Sequence, residues 1–213
     1  EGSFMDATPS EGYWPNPMGW RNVAPVDLNG DGLLDLAACD NNYSNWNTGK
    51  GSLMVLINKG NMVFEDGREA YGLPEDGTTG FGLAVGDVND DGQLDFFVAD
   101  SNRMFVSGPD GKYKEIQRGT FIKPQTKDKT SRTYGAVFGD ANGDGLLDLL
   151  TGEHGKDAQL RLYINEGIKD GVPSFRDVTK ETGLMGALPP KGLTDLAVKI
   201  GNIAIIDLDN DSK

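Results

Sequence analysis

One nine-residue pattern recurs along the chain and constrains it more than any other feature. Asp27-Leu28-Asn29-Gly30-Asp31-Gly32-Leu33-Leu34-Asp35 is the first copy. Asp87-Val88-Asn89-Asp90-Asp91-Gly92-Gln93-Leu94-Asp95 is the second, and Asp140-Ala141-Asn142-Gly143-Asp144-Gly145-Leu146-Leu147-Asp148 the third. A fourth begins as Asp207-Leu208-Asp209-Asn210-Asp211, with Ser212 where the other copies have glycine. Each complete copy carries an oxygen side chain at positions 1, 3, 5 and 9 and glycine at position 6.

This spacing suits a hard cation. Ca²⁺ takes six to eight oxygens in a flexible shell. A tight loop can turn side chains 1, 3 and 5 inward, add the carbonyl of position 7, and close with the carboxylate of position 9. Glycine at position 6 permits the sharp turn because it has no Cβ. An EF-hand would need a bidentate Glu at position 12, where this chain has Ala38, Val98 and Thr151. The residues after each loop, such as Leu36-Ala37-Ala38-Cys39 and Phe96-Phe97-Val98-Ala99, are short apolar runs that predict buried strands, not helices. A metal-free Asp/Asn/Gly turn is the plainer reading of one copy, and repetition weighs against it.

Asp27, Asp87, Asp140 and Asp207 stand 60, 53 and 67 residues apart, the period of propellers, solenoids and arrays. Between loops the chain divides into four strands per unit. The first enters the loop, as in Leu83-Ala84-Val85-Gly86, and the second leaves it. The third is Leu53–Ile57, Met104–Val106 or Leu160–Ile164. Turns at Asn58-Lys59-Gly60, Pro109-Asp110-Gly111 and Asn165-Glu166-Gly167 lead to the fourth, at Met62–Phe64, Tyr113–Glu115 and Ser174–Arg176. The expected fold is all-β, a propeller of four-stranded antiparallel blades with calcium loops between strands one and two. The blades are placed at about 20–66, 80–116 and 133–178, and a further one starts at about 200–213.

These units resemble FG-GAP/VCBS repeats, the calcium-loop blades of integrin-α-like propellers. The string Phe-x-Asp-x-Thr-x-x-x-Gly-Leu from Phe175 to Leu184 resembles the bacterial and cartilage-acidic-protein branch of that group. The resemblance implies a Ca²⁺ site at Asp27, Asn29, Asp31, the Leu33 carbonyl and Asp35. It implies a second at Asp87, Asn89, Asp91, the Gln93 carbonyl and Asp95, and a third at Asp140, Asn142, Asp144, the Leu146 carbonyl and Asp148. Asp207, Asp209 and Asp211 would begin a fourth. Propellers of this family close with more blades than this chain holds. The chain is therefore expected to be a fragment of a longer protein, or to be completed by another subunit.

The formal charge is −13, from 33 acidic and 20 basic residues. Twelve of those acids are the Asp ligands of the four loops, three in each, so four bound Ca²⁺ would bring the balance to −5. No Lys/Arg-rich run exists to hold nucleic acid or anionic lipid. No apolar stretch is long enough for a membrane span. Cys39 is the single cysteine, which excludes internal disulfides. Loops of this kind suit the millimolar calcium of an extracellular or periplasmic setting.

The second strands end in Asp40, Asp100 and Glu153, at the end of each blade opposite the calcium loop. With Tyr43 and Trp46 in the loop after Asp40, they are candidate contacts for a carbohydrate or protein ligand. His154, the sole histidine, has no nucleophile motif beside it. The expected function is a calcium-stabilised binding module in adhesion, glycan recognition or complex assembly, without catalysis. The alternatives are the propeller of a polysaccharide-lyase-like enzyme and a purely structural subunit.

Overall fold

Strands buried on both faces read as continuous apolar runs, because no face needs polar residues. The run Phe96-Phe97-Val98-Ala99 follows that rule, and its neighbours in space explain why. The computed structural model describes residues 20–40, 53–61, 63–75, 78–116, 132–155, 158–184, 198–199 and 203–206. Among these residues the strands form three sheets.

The first sheet is β1 (Trp20–Val26), β2 (Asp35–Asp40), β3 (Leu53–Asn58) and β4 (Phe64–Asp66), paired in chain order. The second repeats that order with β5 (Gly80–Gly86), β6 (Asp95–Asp100), β7 (Arg103–Ser107) and β8 (Tyr113–Glu115). The third consists of β9 (Arg132–Gly139), β10 (Asp148–Gly155), β11 (Leu160–Lys169) and β12 (Val172–Asp177). All these pairings are antiparallel. A two-residue strand, β13 (Val198–Lys199), adds to the far end of β10 opposite His154 and Gly155. The result is all-β, built of four-stranded antiparallel sheets as blades.

Residues of β6 alternate between two cores, as the two-residue period of a strand requires. Phe96 and Val98 face the first sheet and join Ala37, Cys39, Val55 and Phe105. Phe97 and Ala99 face the third and join Met104, Phe138, Leu149 and Tyr163. Sheet two is therefore packed on both sides. A smaller cluster of Ala38, Met54 and Leu56 lies on the outer face of sheet one. Burial of Cys39 in the first core pushes its thiol up to about 12, so it stays protonated and inert.

The first strands of successive sheets lie side by side, β5 between β1 and β9. Contact is closest at Gly82, where an added Cβ would stand 2.6 Å from the Tyr134 carbonyl oxygen and 3.0 Å from the Gly135 Cα. Both obstacles are backbone and cannot swing aside. Gly82→Ala should therefore cost about 1–3 kcal/mol in urea unfolding, as overpacked sites do. An unchanged midpoint would mean that the seam between first strands is loose.

Three expectations are corrected. The fourth strand of sheet one starts at Phe64, after Val63, and Met62 lies outside the described residues. Gly60 and Asn61 both take positive φ, and Lys59 and Val63 close the turn by hydrogen bonds, which moves the pairing onward. In sheet three the chain does not turn at Asn165-Glu166-Gly167. β11 continues through a bulge to Lys169, and the turn falls at Asp170-Gly171, both with positive φ. Residues 203–206, expected as a first strand, form no ladder, although Ile205 packs against Gly139 as the next first strand would. No second strand pairs with them among the described residues.

Candidate metal centres

Each complete loop joins strand one to strand two of its sheet, and position 9 is the first residue of strand two. The turn is made by left-handed residues at positions 4 and 6. Gly30, Asp90 and Gly143 have φ of 72°, 54° and 76°, and Gly32, Gly92 and Gly145 have 83°, 83° and 89°. Position 6 needs glycine for that reason. Position 4 tolerates aspartate, a residue that enters this region more readily than most.

The carboxylates shape the loop through its own backbone. Asp27 accepts from the N–H groups of Gly30 (2.8 Å), Asp31 (3.2 Å) and Gly32 (2.9 Å). Asp140 accepts from Gly143, Asp144 and Gly145 in the same way, and Asp87 from Asp91 and Gly92. Position 5 accepts from the N–H of position 7: Asp31 from Leu33, Asp91 from Gln93, Asp144 from Leu146. At position 3 the Asn29, Asn89 and Asn142 amides each donate to the position 5 carboxylate.

Position 9 is fully buried in all three loops. Asp35 accepts from Leu28 N–H at 2.9 Å and from Asn58 N–H, at the end of β3, at 2.8 Å. Asp95 accepts from Val88 and Ser107 at 2.9 and 2.7 Å, and Asp148 from Ala141 and Asn165 at 2.8 and 2.8 Å. One carboxylate thus ties the loop to the third strand. Burial pushes Asp95 up to about 6 despite those hydrogen bonds, and the nearby Asp91 charge adds to the rise. Burial raises Asp148 as well. Asp140 is the reverse case. Its slight burial acts upward, but the loop N–H groups outweigh it and lower the carboxyl.

Among the described residues, no three His, Cys, Asp or Glu side chains are drawn together tightly enough to hold a metal ion by themselves. The donor set nonetheless fits a hard cation: three carboxylates, one amide oxygen and a backbone carbonyl per loop. Buried Asn89 Oδ1 has no hydrogen-bond partner, which leaves an oxygen lone pair for such an ion in loop two. Asp207, Asp209 and Asp211 lie outside the described residues.

The opposite end of the sheets holds Asp40, Asp100 and Glu153. Asp40 is fully buried. Asp100 pairs with Arg132 of the next sheet at 3.3 Å, and burial, only partly offset by that charge, raises its carboxyl. Glu153 makes a 2.6 Å pair with Arg161, both side chains being buried, and Arg161 also lies 3.8 Å from Asp177. His154 tilts against Tyr134, which stacks on Phe81 at 3.9 Å between centroids, and the Arg21 guanidinium lies over the Phe81 ring at 5.8 Å from its centroid. Tyr43 and Trp46 lie outside the described residues.

Residues 27–98, from the start of loop one to β6, match the family model of the FG-GAP-like repeat. The chain carries an FG-GAP-like repeat. It is also similar to cartilage acidic protein 1. Identity is 27% over 179 residues to the human protein, covering 78% of this chain and 25% of the relative. It is 27% over 184 residues to the Xenopus tropicalis protein, covering 81% and 26%. The mouse protein is 26% identical over 178 residues. The chain spans about a quarter of the length of these curated relatives.

The three sheets share one set of residues that motif reading missed. Third strands end at Asn58, Ser107 and Asn165, whose N–H groups meet position 9. Asn58 and Asn165 also anchor backbone by their amides. Asn165 Nδ2 donates to Val88 O in loop two of the neighbouring sheet at 3.0 Å. The recurring Asn-x-Gly at Asn58 and Asn165 was the available signal, and it reads as an ordinary turn.

Proposed function

We propose that this chain is part of a calcium-stabilised β-propeller that acts as an extracellular, non-catalytic binding module for a protein or carbohydrate partner. Asp27, Asn29, Asp31, the Leu33 carbonyl and Asp35 hold one ion, and the equivalent residues of loops two and three hold the others. The observation that carries this reading is the shared frame of three loops, each hung from its third strand by a buried position 9 carboxylate. Carboxylates crowded at one sheet end repel one another, and a divalent ion offsets that repulsion.

The extracellular setting draws on two facts: the relatives are named for cartilage, and loops of this class match extracellular calcium levels. No helix among the described residues is long and apolar enough to cross a membrane. A binding role is favoured over catalysis because Asp100 and Glu153 are engaged in ion pairs with Arg132 and Arg161.

Thermal melts in calcium and in chelator test the metal reading. At millimolar Ca²⁺ and a site constant of about 10⁻⁴–10⁻³ M, each site contributes roughly 0.4–1.4 kcal/mol. Chelator should lower Tm by several degrees and added Ca²⁺ should restore it. Asp31→Ala should remove one site's share in calcium and change little in chelator. A Tm indifferent to chelator would overturn the reading. A glycan array probed in calcium and in chelator separates the partner classes: calcium-dependent signal assigns carbohydrate, and silence on the array assigns protein.

A further inference from the structure

We propose that Ser107 is an additional oxygen ligand of the loop-two cation site, and that this site binds more tightly than those of loops one and three. The proposal rests on the calcium reading above and concerns how the sites differ.

The residue that ends the third strand uses its side chain differently in sheet two. Asn58 donates its amide to Leu34 O at 3.0 Å and accepts from Gly60 N–H at 2.9 Å. Asn165 donates to Val88 O and Leu147 O and accepts from Gly167 N–H. Both amides are spent on backbone. Ser107 is too short for that. Its Oγ lies 3.2 and 3.1 Å from the two oxygens of Asp91 and 2.9 Å from Asp95 Oδ1. A hydroxyl has one proton to donate. It satisfies one of these oxygens and presents lone pairs to the others. A cation placed among Asp91, Asp95 and Ser107 turns those opposed lone pairs into a shared ligand set.

Asn89 supplies an independent observation. In loops one and three the position 3 carbonyl accepts from the position 5 N–H at 3.0 Å. In loop two the amide nitrogen reaches Gly171 O of sheet three at 3.3 Å and Ser107 O at 3.5 Å. Asn89 Oδ1 is left without a partner on a residue only 6% exposed. Asn29 and Asn142 are exposed. Loop two therefore offers a buried, unengaged amide oxygen and an extra hydroxyl, both absent from its siblings.

A route to the site exists. A cleft of about 330 Å³ opens at the seam between sheets two and three, and Asn89, Asp91, Gln93, Ser107, Lys114 and Gly171 are among the residues that line it. The loop is also held at two points by sheet three, by Asn89 to Gly171 O and by Asn165 to Val88 O. Ligand charge and site rigidity tune affinity in oxygen-ligated calcium sites, and loop two gains in the second.

Isothermal titration of the chelator-stripped protein with CaCl₂ tests this. The expected result is one site about tenfold or more tighter than the rest, with Ser107→Ala merging it into the weaker class and Ser107→Thr, which keeps the hydroxyl, preserving it. Ser107→Asn restores the residue of the sibling positions, so it should fold and also lose the tight class. Far-UV circular dichroism confirms that each variant is folded. Equal sites in the parent protein, or a tight site that survives both Ser107→Ala and Ser107→Asn, overturns this proposal and leaves the calcium reading standing. No calcium heat at any site overturns both.

Discussion

Asp148→Ala should lower stability by about 2–5 kcal/mol in urea unfolding, with chelator present as well as in calcium. The carboxylate is fully buried and takes two backbone hydrogen bonds, from Ala141 and Asn165. Alanine leaves both N–H groups without their acceptor, Asn165 in a buried place and Ala141 in a partly buried one. Each such group costs about 1–3 kcal/mol. The effect belongs to the hairpin and not to an ion, which is why chelator should not abolish it. Position 5 is the contrast: Asp31 is exposed and its partners lie within its own loop, so its removal should register mainly when calcium is present. If Asp148→Ala were harmless in chelator, position 9 would act through the ion alone, and the link between loop and third strand would carry no weight.

Glu153→Ala should cost about 3–5 kcal/mol, because it strands the buried Arg161 guanidinium. The Glu153 and Arg161 side chains are 7% and 6% exposed and meet at 2.6 Å. Asp177, a longer contact at 3.8 Å, offsets only part of the lost carboxylate. A matched apolar pair, Glu153→Leu with Arg161→Met, should recover most of that loss, since desolvating two charges consumes much of what their attraction returns. Salt should leave the single variant's deficit unchanged, as buried pairs are little screened. A single variant as stable as the parent would show that water enters the site.

The blades were legible because two signals agreed. Loop spacing fixed where strand pairs meet, and apolar runs of strand length supplied the strands. Phe96-Phe97-Val98-Ala99 even signalled burial on both faces, which sheet two shows. The turn at Asn165 was misjudged because Asn-x-Gly competed with Asp170-Gly171, the stronger hairpin dipeptide, and the hairpin dipeptide won. What position 9 does could not be read from spacing. A ligand motif and a hairpin clamp demand the same aspartate, and only the register brings Asn58, Ser107 and Asn165 to it. Glu153 was placed at the correct end of its strand but without its partner. Arg161 lies across from Thr151, diagonal to Glu153, a relation that exists only once β10 and β11 are aligned. Ser107 shows the same limit. In the chain it is one serine in a Ser-Gly-Pro turn, and its meaning comes from the two carboxylates that folding places around it.

The loops also bear on how the molecule ages. Asn29-Gly30 and Asn142-Gly143 are the dipeptide most prone to spontaneous deamidation, in which the glycine nitrogen attacks the asparagine side chain to close a succinimide ring. Here the Gly30 and Gly143 N–H groups donate to Asp27 and Asp140, at 2.8 and 2.7 Å, and that anchoring keeps each glycine nitrogen from swinging onto the asparagine side-chain carbon. In loops one and three the carboxylate that opens the loop thus also restrains the residue two places on against this reaction.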